Sequence, residues 1–134
     1  MNVLLSIKPK YVESIMNGDK QYEFRKIIFR NRDIERVFIY STAPVKKIIG
    51  SFLIGDIIED HPNTLWEQFK DYSGLTDDKF FAYFKGSDKG FAIEIKRLDK
   101  FSNIIDPKDI FPNFVPPQSF CYVDIPLVPR RNKK

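Results

Sequence analysis

The apolar positions change their period repeatedly along this chain, and each change predicts a new element. Asn2 to Ile7 is rich in Val, Leu and Ile and reads as a first strand. Lys8-Pro9 then opens a helix, because proline is tolerated in a first turn. Tyr11, Val12, Ile15 and Met16 share one face of that helix, and Gly18 is its natural left-handed stop. Tyr22 to Phe29 resumes a strand, and Arg36 to Tyr40 gives the next. Lys47 to Ile58 is long and apolar, with Gly50 and Gly55 spaced as in a strand that bulges or bends around a corner.

The middle of the chain turns helical. Pro62, at a first-turn position, precedes Leu65, Trp66 and Phe69 on one face. Thr76 is placed to cap a second helix, with Asp77 and Asp78 favourable beside its N-terminus. Phe80, Phe81 and Phe84 form the expected buried stripe of that helix, and Gly86 ends it. Phe91, Ile93 and Ile95 alternate with Ala92, Glu94 and Lys96, the pattern of a half-buried strand. A Pro-rich loop from Phe111 to Pro117 leads to a final strand, Phe120 to Ile125. Strands dominate and the two middle helices come as a pair, which predicts an α+β fold on a small β-barrel or strongly curled sheet.

Composition narrows the class. At 134 residues, with 15% aromatics, the chain suits one packed domain; residues 1–128 are expected to form it and 129–134 a frayed basic tail. The single cysteine, Cys121, excludes an intrachain disulfide and fits a reducing, cytoplasmic setting; its apolar neighbours predict a buried, inert thiol. No apolar run approaches the length of a membrane span. Net charge is +4, distributed as +5 over 8–47, −4 over 48–90 and +3 from 91 onward. A basic first third predicts one pole that attracts anions.

Candidate chemistry concentrates between Gly18 and Arg25. Strand alternation sends Tyr22 and Phe24 one way, expected to be the core, and Glu23 and Arg25 the other. The latter pair would lie about 6.5–7 Å apart on a polar face, with Lys20 a mobile cation at the mouth of the strand. A guanidinium grips phosphates bidentately and a carboxylate accepts only, so the trio could hold a phosphate or a polar base edge.

The spacing Gly18-x-Lys20-x-x-Glu23-x-Arg25 resembles the signature of the ASCH domain family, a branch of the PUA-like superfamily that also holds the EVE and YTH modified-base readers. Leu5-Ser6-Ile7-Lys8-Pro9, Ile39-Tyr40-Ser41-Thr42-Ala43-Pro44, Val45 to Gly50 and Pro116-Pro117-Gln118-Ser119-Phe120 are similar to stand-alone bacterial and archaeal members. The resemblance implies a PUA-like pseudo-barrel with short helices around it and a cleft lined by Lys20, Glu23 and Arg25. Ser6, Lys8, Ser41, Thr42, Gln118 and Ser119 would join them. Hydroxyls at 41 and 42 are equally explained by turn chemistry.

Two functions follow as expectations. The first is recognition of RNA, or of a modified or single-stranded base, with Tyr22, Tyr40 or Tyr122 available for stacking. The second is hydrolysis, either of an acylated nucleoside such as N4-acetylcytidine or of RNA itself. The resemblance makes Lys20 catalytic in the amidohydrolases, where threonine stands three positions later; here that position is Glu23. Ser41 or Thr42 could substitute in space, and Glu59 or Glu94 could supply a carboxylate. Glu23 is expected to raise the Lys20 pKa, which disfavours a lysine base. The only histidine is His61, which argues against a histidine metal site or a Ser-His-Asp triad. Asp56, Glu59 and Asp60 read as a solvated strand end rather than a magnesium site. No metal or cofactor is expected.

Overall fold

The computed structural model describes residues 1–124, so Ile125 and the expected tail 129–134 lie outside it. The strands are β1 (Asn2–Ile7), β2 (Tyr22–Arg25), β3 (Arg36–Ser41), β4 (Lys47–Asp60), β5 (Gly90–Ile105) and β6 (Phe120–Val123). The helices are α1 (Pro9–Met16), α2 (Pro62–Phe69) and α3 (Asp77–Tyr83). The six strands form one mixed sheet in the order β2-β5-β4-β3-β1-β6. Only β1 and β3 run parallel, with α1 in the connection between them; every other pairing is antiparallel. Among the described residues no helix is long and apolar enough to cross a membrane.

Most elements match their sequence pattern. Pro9 starts α1, and Gly18 leaves it at φ +92°, a conformation L side chains rarely adopt. The departures have physical reasons. The expected Tyr22–Phe29 strand stops at Arg25. The short strand from Phe91 is the start of a 16-residue one. Its far half is mostly exposed and pairs with β4 alone, so its charged residues hide the alternation. Phe81 is not in the core: Phe80 and Phe84 are buried, whereas Phe81 is exposed against the edge of Trp66. Thr76 precedes α3, but its hydroxyl donates to the Asp78 carboxylate rather than accepting from the helix backbone. That bond lowers the Asp78 pKa. Cys121 is half-buried, and burial raises its thiol pKa.

Three apolar clusters place the strand faces. Val3, Leu5 and Ile7 of β1, Val37 and Ile39 of β3, Phe52 of β4 and Ile93 of β5 meet inside the curl, where Val12 and Ile15 of α1 close it. Leu4, Phe38 and Tyr40 point outward to Phe101, Ile110 and Phe114. Phe24, Ala92 and Leu65 pack with Phe80 and Phe84 beneath α2 and α3.

The two ends of the sheet, β2 and β6, share no hydrogen-bonded ladder, so the sheet is open. They nevertheless approach each other. Arg25 at the end of β2 reaches Ser119, the residue before β6, at 2.8 Å. A side chain, not backbone pairing, laces the gap of this pseudo-barrel.

Candidate nucleic-acid interface

β2 is four residues long, and its alternation decides the site. Glu23 pairs in register with Ile93, an interior residue, so Glu23 and Arg25 face into the curl. Tyr22 and Phe24 face outward, under the helices, on Phe69 and Phe80. The aromatic pair packs in a core as expected, but in one outside the sheet, and it is the charged pair that lies on the inward face.

The charged face is a connected network. Arg25 Nη1 donates to Glu23 Oε2 at 2.7 Å. Its Nη2 donates to the carbonyl and the hydroxyl of Ser119 at 2.8 and 3.0 Å. Ser6 completes the junction, its hydroxyl donating to the Pro117 carbonyl at 2.7 Å and its N–H to the Ser119 carbonyl at 3.0 Å.

Lys20 is not a mobile cation at the rim. It is 3% exposed, its ammonium donates to the Ser73 carbonyl at 2.9 Å, and it lies 3.6 Å from Glu23 Oε1. The rings of Phe24 and Tyr11 stand 5.1 and 5.8 Å from it. Gly74, at φ +67°, covers its stem; a Cβ there would come within 2.7 Å of the Lys20 Cβ. The pKa of Lys20 is lowered, because desolvation outweighs the opposing pull of Glu23. The expectation that Glu23 would raise it named the right neighbour and missed the larger effect. An ammonium capped in this way is closed to a substrate, so the acylated-nucleoside chemistry gains no support from this geometry. Nor do its expected carboxylates reach it: Glu59 pairs with Lys89 at the surface, and Glu94 accepts from the Asp56 N–H.

The other expected residues divide. Ser41 is buried at the end of β3, opposite Ile7 and Lys47, and the Thr42 N–H donates to the Ile7 carbonyl. Both therefore sit at the same end of the sheet as Ser6 and Ser119. Lys8 and Gln118 are exposed there. Of the tyrosines offered for stacking, Tyr22 lies on Phe69 and Tyr40 is buried against Phe114; only Tyr122 is exposed.

Sequence reasoning missed the loop that follows β2. Its Lys26 N–H donates to the hydroxyl of exposed Tyr83, and its ammonium sits 4.9 Å over that ring. Further on, the N–H groups of Arg30 and Asn31 both donate to the Tyr122 hydroxyl. Two tyrosines from distant elements thus strap a basic loop beside Arg25. Lys46, exposed and held at φ +57°, ends the turn after Thr42 and adds a cation at this end. A cavity of about 640 Å³ lies elsewhere, between α1 and the start of α3, where Gly18, Asp19 and Gln21 line it and the charged trio does not. Among the described residues there is no cluster of metal-ligating side chains.

Known proteins match along most of the chain. The family described as a domain of unknown function, DUF365, matches residues 1–114. An ASCH domain-containing ribonuclease of Zymomonas mobilis subsp. mobilis is 31% identical over 122 residues, covering 90% of this chain and 82% of that protein. The crystal structure of ASCH from Zymomonas mobilis superposes with a TM-score of 0.84 at 30% identity, covering 92% of this chain and 87% of that one. The N-terminal domain of Staphylothermus marinus McrB shares the fold alone, with a TM-score of 0.54 at 14% identity.

Proposed function

The chain belongs to the ASCH domain family, with its PUA-like fold, and from that membership and the polar end of its sheet we propose that it binds single-stranded RNA. One observation carries the reading. Exposed Lys8, Lys26 and Lys46 come from three separate segments to the end of the sheet where Arg25, Ser6 and Ser119 are locked together. Lysines at the mouth supply phosphate contacts, and exposed Tyr83 and Tyr122 supply ring faces for unstacked bases. Gln118 and Thr42 offer donors and acceptors to base edges. The Lys20–Glu23–Arg25 network acts beneath this surface, fixing the strand ends that present it.

The test is fluorescence anisotropy of a labelled oligouridine over a salt series. Lys26→Ala with Arg30→Ala should weaken binding and flatten the slope of log affinity against log salt by about 0.7 per lost phosphate contact. If the double variant binds with the wild-type affinity and slope, this end of the sheet is not the interface.

A second reading, that the bound strand is also cleaved, is favoured by the similarity to a protein named as a ribonuclease. In that case Arg25, partly exposed beside the Ser119 hydroxyl, would be the group that stabilises charge on a phosphate. Purified protein that binds oligouridine yet releases no shorter product on a sequencing gel removes this reading and leaves the first.

A further inference from the structure

The opposite end of β3 carries a cationic concavity. It measures about 690 Å³ and is lined by Arg36, Leu53, Arg97, Leu98, Asp99 and Lys100. Arg36 is the first residue of β3 and Ser41 the last, so this place lies on the order of 17 Å along the strand from the interface above.

Its construction is specific. Between the pairs Ser51–Asp99 and Leu53–Lys96, one residue of β4 faces two of β5, so β5 bulges at Arg97 and Leu98. Arg97 adopts φ +49°, the left-handed conformation that glycine normally supplies in such a bulge. Its side chain is exposed. Arg36 is held from below, its Nη1 donating to the Ser51 hydroxyl at 2.8 Å, and Ser51 is fully buried. Two guanidinium groups, one strained into place and one braced, thus line one concavity with Lys100, against a single carboxylate, Asp99.

We propose that this concavity is a phosphate-binding site, distinct from the surface at the other end of the sheet. Guanidinium forks match phosphate oxygens bidentately, and Lys100 adds a third cation. An arginine at a backbone position better suited to glycine is explained by what its side chain holds.

The phosphate can be free or part of a nucleic-acid strand, and the experiment separates the two. The Nε–Hε resonances of Arg36 and Arg97 are followed as inorganic phosphate is added at constant ionic strength, with chloride as the control. Saturable movement of both is expected with phosphate and none with chloride. Arg97→Gly should unfold at the same temperature as the wild type or higher, because glycine relieves the left-handed φ. It should bind phosphate at least tenfold more weakly, as should Arg36→Met. If the wild type shows no saturable shift, or either variant binds phosphate as the wild type does, the proposal is overturned. The source is then read from oligouridine binding. A salt slope flattened in Arg97→Gly assigns the site to a strand phosphate, and an unchanged slope assigns it to a free one. The inorganic phosphate titration involves neither Lys26 nor Arg30, so this site stands or falls separately from the interface at the other end; only the choice of source rests on the proposed RNA binding.

Discussion

The two faces of β2 solve burial in opposite ways within four residues. Outward, Tyr22 and Phe24 lie on Phe69 and Phe80 at ring distances of 4.3 and 5.2 Å. Inward, Glu23 takes Arg25 at 2.7 Å and Lys20 at 3.6 Å, with Glu23 and Lys20 buried and Arg25 partly exposed. The aromatic face is held by apolar area, at roughly 25 cal/mol per Å², and tolerates any residue that fills the same volume. The ionic face has lost its hydration and is stable only while each partner is present. The first face is forgiving and the second specific, which suits a network whose task is to fix the ends of β1, β2 and β6.

The sharpest test removes one member from each face. Glu23→Ala leaves buried Lys20 and half-buried Arg25 without their shared carboxylate and should cost about 3–5 kcal/mol in chemical denaturation. Phe24→Ala should cost a similar amount, about 3–5 kcal/mol, through a cavity. Repair separates them. Phe24→Leu should recover most of that loss, because it keeps most of the apolar volume while giving up the ring 5.1 Å from the Lys20 ammonium. Glu23→Gln, isosteric but neutral, should remain badly destabilised. A Glu23→Gln protein as stable as the wild type would show that charge has no part in the inward face.

A smaller effect follows from pH. The Lys20 pKa is lowered from its ordinary 10.5 by burial, so the folded protein holds that proton less tightly than the unfolded chain does. The penalty is fully present below the folded pKa and fades as pH rises through it towards 10.5. Tyr22 and Tyr40, whose pKa values burial raises, act in the opposite sense over the alkaline range. Comparing wild type with Lys20→Met cancels those tyrosines. The stability of the wild type relative to the variant should climb with pH in that window, at no more than about 1.4 kcal/mol per pH unit. A difference that is flat with pH would mean that Lys20 is not desolvated.

Much of this fold is legible in the residues themselves. Period two over Tyr22–Arg25 separates the two faces, Pro9 and Gly18 bracket α1, and Gly50 lies where the β4–β5 register slips. Period two does not say which way a sheet curls, so it separates the pairs without showing that the core taken by Tyr22 and Phe24 lies outside the curl. The burial of Lys20 depends on Ser73, 53 residues away, which no local pattern announces. Likewise the meeting of Ser6, Arg25 and Ser119 is implied by the family resemblance and not by any spacing. The bulge at Arg97 was invisible because Lys96 to Lys100 reads as a charged end to the strand, whereas β4 pairs with it well beyond that point.

The smallest predicted effect sets the scale for the others. Lys89 and Glu59 form an ion pair at 3.4 Å, longer than the Glu23–Arg25 contact by less than an ångström, but their side chains are 61% and 51% exposed. Water screens their attraction, and ordering two long side chains offsets most of what remains. Lys89→Ala should therefore change stability by less than about 0.5 kcal/mol at ordinary salt, an order of magnitude below Glu23→Ala. Measured on the same denaturation curve, a loss of several kcal/mol at Lys89 would mean that contact rather than desolvation sets the strength of an ion pair here. The distinction drawn between the inward face of β2 and the protein surface would then fail.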